Sequence, residues 1–153
     1  MKKAYFRPVA GAPAPLKRVF EREIRFEEVD PLGIVWHGRY PSYVDDGRLH
    51  LGKKYGLSYM DFKANRIAAP IKQLHIDYVK PLYFGETVKV VTWLHYNEAA
   101  RLNFEFELRN SVDEVTTTGY SVQMFIDEDQ ELMITPPDFY ADILRRWADG
   151  ELA

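Results

Sequence analysis

The stretch VDPLGIVWHGRY, residues 29–40, brings together residue types that acyl-group chemistry requires. Asp30 supplies a carboxylate, and the following Pro31 restricts it to extended backbone, which fixes the direction of its side chain. Gly33 permits a positive φ in the turn. The hydrophobic pattern ends a strand at Val29 and begins a helix near His37, so the carboxylate stands close to a helix start. The first backbone N–H groups of a helix lack internal partners and carry partial positive charge. Each such donor, aimed at a developing oxyanion, is worth about 3–4 kcal/mol. A carboxylate acting as base or nucleophile on the same carbonyl adds about 10²–10⁴-fold. Together they form the attacker and the oxyanion site of acyl transfer. Spacing alone equally permits an ordinary Asp-Pro turn before a helix. Trp36 and Tyr40 beside the turn read either as pocket lining or as core.

The elements that must position these residues follow from periodicity. In RVFEREIRFEEV, Phe20, Ile24 and Phe26 share one face and Glu21, Glu23 and Arg25 the other, a strand pattern. From Trp36 to Tyr55 the period changes: Trp36, Tyr40, Tyr43, Val44, Gly47, Leu51 and Tyr55 form one helical stripe, stopped by Gly56. Gly47 within that stripe reads as close backbone approach to a sheet or as a tolerated weak spot. His50 falls off the stripe and is expected to be exposed. A short polar turn region, SYMDFKANR, precedes a series of strands. IKQLHIDYV places Leu74, Ile76 and Tyr78 on one face. GETVKVVTWLHY, RLNFEFELRN and VTTTGYSVQMFID follow, joined by tight connections that imply an antiparallel meander. PPDFYADILRRWADG closes the chain as a helix led by prolines. The expected class is α+β, with one sheet wrapped around one long helix. Residues 1–18 read as an N-terminal arm and 19–153 as a single domain. Uncovered sheet edges argue for a dimer or larger assembly.

Composition narrows the functions. At 153 residues, with 46% hydrophobic and 28% charged residues, the chain suits one globular domain. A net charge of −3 offers no basic surplus and argues against duplex nucleic acid as a partner. The absence of cysteine excludes disulfides, thiolate zinc sites and a cysteine nucleophile, and suits a reducing cytosol. No apolar run approaches the ~20 residues that span a bilayer. Arg7 and the prolines of the N-terminal stretch break any signal-like centre, so a cytoplasmic protein is expected. His75 and Asp77 share a strand face and His95 stands alone, a pattern that makes no metal site.

The run Asp30-Pro-Leu-Gly33-Ile-Val35-Trp36-His37-x-x-Tyr40 resembles the signature of the 4-hydroxybenzoyl-CoA thioesterase-like hotdog proteins, including the acyl-CoA thioesterases associated with the Tol-Pal system. Ile76-Asp77-Tyr78-Val79-Lys80-Pro81-Leu-Tyr-Phe-Gly85-Glu86 is similar to that family's strand-turn-strand element. The resemblance spans roughly residues 20–127. It implies a hotdog fold, a five-stranded antiparallel sheet around the long helix, in homodimers or homotetramers with active sites at the subunit interface. It implies an acyl-CoA substrate, hydrolysed without metal or redox cofactor. By position, Asp30 becomes the catalytic base or nucleophile, and the N–H groups of His37 and Gly38 the oxyanion site. The His37 ring becomes an assistant that orients substrate or water, with Trp36 and Tyr40 as acyl contacts.

Two departures stand out. Arg39 replaces an asparagine that is common before the helix tyrosine, and Asp45-Asp46-Gly47-Arg48 replaces a Glu-x-x-Arg. Asp45 remains a substrate-binding candidate with shorter reach, against a solvated helix face. Lys80 and Arg101, beside strand ends, are candidates for the coenzyme A phosphates. The alternatives are a hotdog enoyl-thioester hydratase or dehydratase and a non-catalytic acyl-CoA-binding module.

Overall fold

In the computed structural model, which describes residues 4–152, five strands form one antiparallel sheet in the order β1-β3-β4-β5-β2. They are β1 (Leu16–Glu23), β2 (Ile71–Tyr78), β3 (Thr87–His95), β4 (Arg101–Arg109) and β5 (Val115–Met124). Three α-helices accompany them: α1 (Tyr40–Tyr55), α2 (Tyr59–Ala64) and α3 (Asp138–Ala148).

The alternation in β4 works as its sequence predicts. Leu102, Phe104, Phe106 and Leu108 are all buried on the inner face. The register sets Leu108 opposite Val90, Phe106 opposite Thr92 and Phe104 opposite Leu94, so β3 extends the same apolar surface. The helix α1 lies across it with Tyr43, Val44 and Leu51 buried, each burial contributing about 1.5–3 kcal/mol. Gly47 marks the closest approach: a Cβ there would stand 2.3 Å from Thr92 Oγ1 and 2.8 Å from Val90 Cγ1. Close backbone approach, rather than a tolerated weak spot, explains this glycine. The helix ends on Gly56 at φ 78°, whose N–H donates to Gly52 O.

Several expectations need correction. Strand β1 begins at Leu16, inside the stretch read as an arm, because Leu16 is buried and pairs with Leu94. The strand does not run on to Val29. It stops at Glu23, a 3-10 turn follows at Phe26–Glu28, and Phe26 is 77% exposed rather than sharing a face with Ile24. The helix α1 proper starts at Tyr40, after a 3-10 turn over His37–Arg39, so Trp36 precedes the helix instead of joining its stripe. The SYMDFKANR region is not merely a turn. Ser58 and Asp61 form a capping box that starts α2, and Phe62 buries its face. Only β3-β4-β5 is a meander. The segment containing α2 carries the chain across the sheet, so β2 pairs with β5 on the far edge. His50 is half-buried, stacked on Phe20 at 3.9 Å.

The last helix buries Tyr140, Ile143, Leu144 and Trp147 against the Phe125 end of the core. The Trp147 indole N–H donates to the carbonyl of Ala14 at 2.8 Å, tying α3 to the segment that leads into β1. Among the described residues, no helix is long and apolar enough to cross a membrane.

Candidate active site

The loop between β1 and α1 is built by its own backbone. Asp30 N–H donates to Ile34 O at 2.8 Å, and Gly33 N–H returns to Asp30 O at 2.9 Å, with Gly33 at φ 79°. Val29 pairs with Val35 across the turn. Val35 N–H is held by Leu82 O and Trp36 N–H by Glu28 O, so the loop is pinned from both sides. The Asp30 carboxylate joins this scaffold: its Oδ1 accepts from Leu32 N–H at 2.8 Å and from Ile34 N–H at 3.4 Å. One oxygen therefore fixes the side chain, in addition to the constraint of Pro31. Oδ2 is left for the cleft.

At the helix start, the Arg39 N–H donates to Trp36 O at 2.9 Å and closes the first turn. The N–H groups of His37 and Gly38 sit at the front of that turn, where donors lack helical acceptors. The six-membered ring of Trp36 lies over Gly38, and a Cβ at position 38 would be 2.3 Å from it. The Tyr78 hydroxyl donates to His37 O at 2.8 Å, and its ring meets Tyr40 edge-on at 4.8 Å. Tyr40 is buried. Desolvation pushes its phenol pKa up, partly opposed by a hydrogen bond with the Leu82 backbone.

These parts surround one cleft of about 320 Å³, lined by Asp30, Ile34, Val35, Trp36, His37, Tyr40, Tyr78, Val79, Lys80 and Pro81. Five of the residues singled out from sequence meet here: Asp30, Trp36, His37, Tyr40 and Lys80. Asp30 and His37, the first residue of that turn, both line the cleft, whereas Gly38, under the Trp36 ring, does not.

Residues 24–146 match the model of the thioesterase-like superfamily. The chain belongs to this superfamily. It is 30% identical over 109 residues to "Putative acyl-CoA thioesterase YneP" of Bacillus subtilis strain 168, a match covering 71% of this chain and 79% of that protein. Its fold superposes on a DHNA-CoA thioesterase from Staphylococcus aureus with a TM-score of 0.74 and 29% identity, over 90% of this chain and 97% of the other. A second Staphylococcus aureus protein, SAV2348, solved in complex with CoA, shares the fold at a TM-score of 0.75 and 14% identity, over 93% and 89% of the two chains. The architecture is that of hotdog thioesterases, which are hydrolases.

Within this thioesterase-like chain, the remaining candidates stand elsewhere or are already engaged. Lys80 lines the cleft, but its ammonium pairs with Glu114 at 2.6 Å. That pairing, more than any other contact, holds the Glu114 carboxyl below its usual range. Arg101 lies at the opposite end of the sheet and donates from Nε to Asn103. The cleft borders the Leu108–Thr117–Tyr78 row, seven residues along β4 from Arg101, which is about 24 Å. Asp45 is outside the cleft and forms an ion pair with the buried Arg48. Asp46 pairs with Arg22 at 2.8 Å, and Arg22 also holds the buried Glu28 at 2.7 Å. Neither aspartate is a merely solvated charge, because each neutralises a guanidinium that is buried (Arg48) or half-buried (Arg22).

Sequence reasoning placed Tyr78 on an apolar strand face and within the Ile76–Glu86 motif but did not single it out as a site residue. Its position immediately before the Val79-Lys80-Pro81 break was the available signal.

Proposed function

We propose that this thioesterase-like protein hydrolyses acyl-CoA thioesters to a free carboxylic acid and coenzyme A. The observation that carries this reading is the cleft lined by both Asp30 and His37, whose N–H and that of Gly38 stand at the front of the first turn. The thioester oxygen lies against those N–H groups, which stabilise the negative charge that develops as the carbonyl carbon becomes tetrahedral. Asp30 Oδ2 either attacks that carbon or takes a proton from the water that does. A C–O bond forms, the C–S bond breaks, and the thiolate leaves to be protonated; where Asp30 itself attacks, water then cleaves the acyl–Asp30 anhydride to release the acid and restore the carboxylate. The His37 ring, exposed at the cleft and 5.0 Å from the Trp36 ring, orients water or substrate. Trp36, Tyr40 and Tyr78 contact the acyl group. Lys80 reaches the phosphates of coenzyme A by exchanging Glu114 for them. The route draws on no metal or redox cofactor, and its setting is the cytoplasm.

The working unit is at least a homodimer. The helix α1 packs on β1, β3 and β4, leaving the inner side chains of β2 under-covered: Leu74 is 41% and Tyr78 52% exposed. β2 is also an open sheet edge, and unpaired edges are templates for a second chain. Two copies joined through β2 across a two-fold axis cover both surfaces, and a tetramer forms by pairing such dimers. Arg101 contacts coenzyme A only if another protomer brings it to a cleft.

The test is thiol release from a panel of acyl-CoAs of varied length and aromaticity, with Asp30→Asn alongside. Hydrolysis by the wild type that the folded variant loses supports the reading. No release from any ester, or equal release by both proteins, contradicts it.

A further inference from the structure

The loop that carries Asp30 is closed at its base by one residue. Glu28 stands two positions before Asp30, and its carbonyl accepts the Trp36 N–H at 3.0 Å. The chain therefore leaves and returns at the same point, and Trp36 leads directly into His37 and Gly38. Where Glu28 is held decides how far the Asp30 carboxylate lies from those N–H groups.

Glu28 is only 4% exposed, which is rare for a carboxylate without partners. Its Oε1 accepts the Arg25 N–H at 2.9 Å, and its Oε2 accepts from Arg22 Nη2 at 2.7 Å. Nη1 of the same guanidinium donates to Asp46 Oδ2 at 2.8 Å, and its central carbon stands 4.8 Å from the centre of the Tyr43 ring. Arg22 belongs to β1, whereas Tyr43 and Asp46 belong to α1. One arginine thus ties the base of the loop to the strand before it and the helix after it.

Stability alone does not account for these charges. Desolvation offsets much of the attraction within a buried ion pair, and apolar side chains of similar size often replace one at little cost. What the pair adds is direction, because a planar guanidinium holds two carboxylates in a fixed arrangement. Neither Arg22, Glu28 nor Asp46 lines the Asp30 cleft, so the three reach the reaction only through the position of the loop.

We infer that Arg22, Glu28 and Asp46 are positioning residues, which together set the gap between the Asp30 carboxylate and the N–H groups of His37 and Gly38. This rests on the acyl-CoA reading above and adds to it three side chains outside the cleft.

The experiment uses the full chain and an acyl-CoA that the wild type hydrolyses. Thiol release gives kcat and KM, thermal melts give stability, and hydrogen exchange reads the amides of residues 29–36. Glu28→Gln keeps the side-chain length and an acceptor for the Arg25 N–H while removing the charge that Arg22 grips. Arg22→Lys keeps a cation without the fork that holds two carboxylates. In both, kcat falls about tenfold, KM stays within about twofold, and the 29–36 amides exchange about tenfold faster. The paired change Arg22→Met with Glu28→Met melts within about 5 °C of the wild type yet shows the same loss of kcat. Glu107→Gln is the control. It removes a carboxylate of similar burial, paired with Arg109 on the outer face of the sheet, and leaves kcat unchanged.

Wild-type kcat in folded Glu28→Gln or in the methionine pair overturns the inference. So does a loss confined to KM, or an equal fall of kcat in Glu107→Gln. Absence of thiol release by the wild type from every ester tested removes the acyl-CoA reading alone. Unchanged exchange of residues 29–36 in the folded variants overturns the positioning role in that case too, and faster exchange supports it.

Discussion

The Tyr78 hydroxyl, at the end of an edge strand, donates to the His37 carbonyl at the start of the central helix, 2.8 Å away. The same peptide region carries the N–H groups proposed to hold the thioester oxygen. The far strand of the sheet therefore steadies the turn that carries the proposed oxyanion site, through a phenol placed away from the proposed reacting atoms.

Removing that hydroxyl tests the link. Tyr78→Phe keeps the edge-on contact with Tyr40 and loses only the hydrogen bond. We expect about 1 kcal/mol of stability lost in denaturant unfolding. Small displacements of a catalytic turn are costly, so kcat/KM for acyl-CoA falls about tenfold. An unchanged kcat/KM contradicts the positioning role even if stability drops.

Asp30 holds its own turn and is the proposed catalytic carboxylate, two tasks that different substitutions separate. In Asp30→Asn the amide oxygen still accepts from Leu32 N–H, so the turn survives. In Asp30→Ala that bond is lost as well. Both variants are expected to lose at least about 100-fold in kcat. Only the alanine variant should also unfold more readily, by about 1 kcal/mol. Thermal melts beside thiol-release rates check both halves.

Gly47 is expected to resist substitution despite its helical setting. Alanine would gain about 1 kcal/mol in helix propensity. Its Cβ, however, would overlap Thr92 Oγ1 and crowd Val90, and overpacking of this kind costs about 1–3 kcal/mol. Gly47→Ala should therefore be no more stable than wild type and up to about 2 kcal/mol less so. Adding Thr92→Ala should return part of the loss, because it removes the nearer atom. Chemical denaturation of the single and double variants reads this coupling.

Alkaline stability should depend on buried phenols. Burial pushes the pKa of Tyr140 and Tyr43 well above the ordinary value near 10. A raised folded-state pKa means that stability is complete below about pH 10 and is lost as pH rises through the folded values. Tyr140→Phe removes one contributor and flattens the decline in melting temperature between about pH 9 and pH 11. Its hydroxyl is buried with no acceptor among the described residues, so the variant should also be about 1 kcal/mol more stable at neutral pH.

The sequence made some of these relationships legible and hid others for physical reasons. Strict alternation identifies β4, since period-two burial leaves an unambiguous trace. The α1 stripe and the Asp30 turn are likewise written in local spacing. Helix α2 is only six residues long, too short for its period to register. Placing β2 beside β5 requires knowing how the chain crosses the sheet, which local pattern does not encode. Lys80 and Arg101 look alike as strand-end cations, and only the register shows that one lines the cleft and the other does not. The burial of Arg48 was invisible because arginine on a helix normally signals solvent.

The indole of Trp147 gripping the Ala14 carbonyl gives the two ends of the chain a shared fastening. Trimming the protein back past α3 would release the lead-in to β1 along with the helix itself. Nicking the segment around Ala14 would in turn loosen α3. Damage at either terminus is thus felt at both, and an affinity tag is better borne on an exposed internal loop than in place of the last helix.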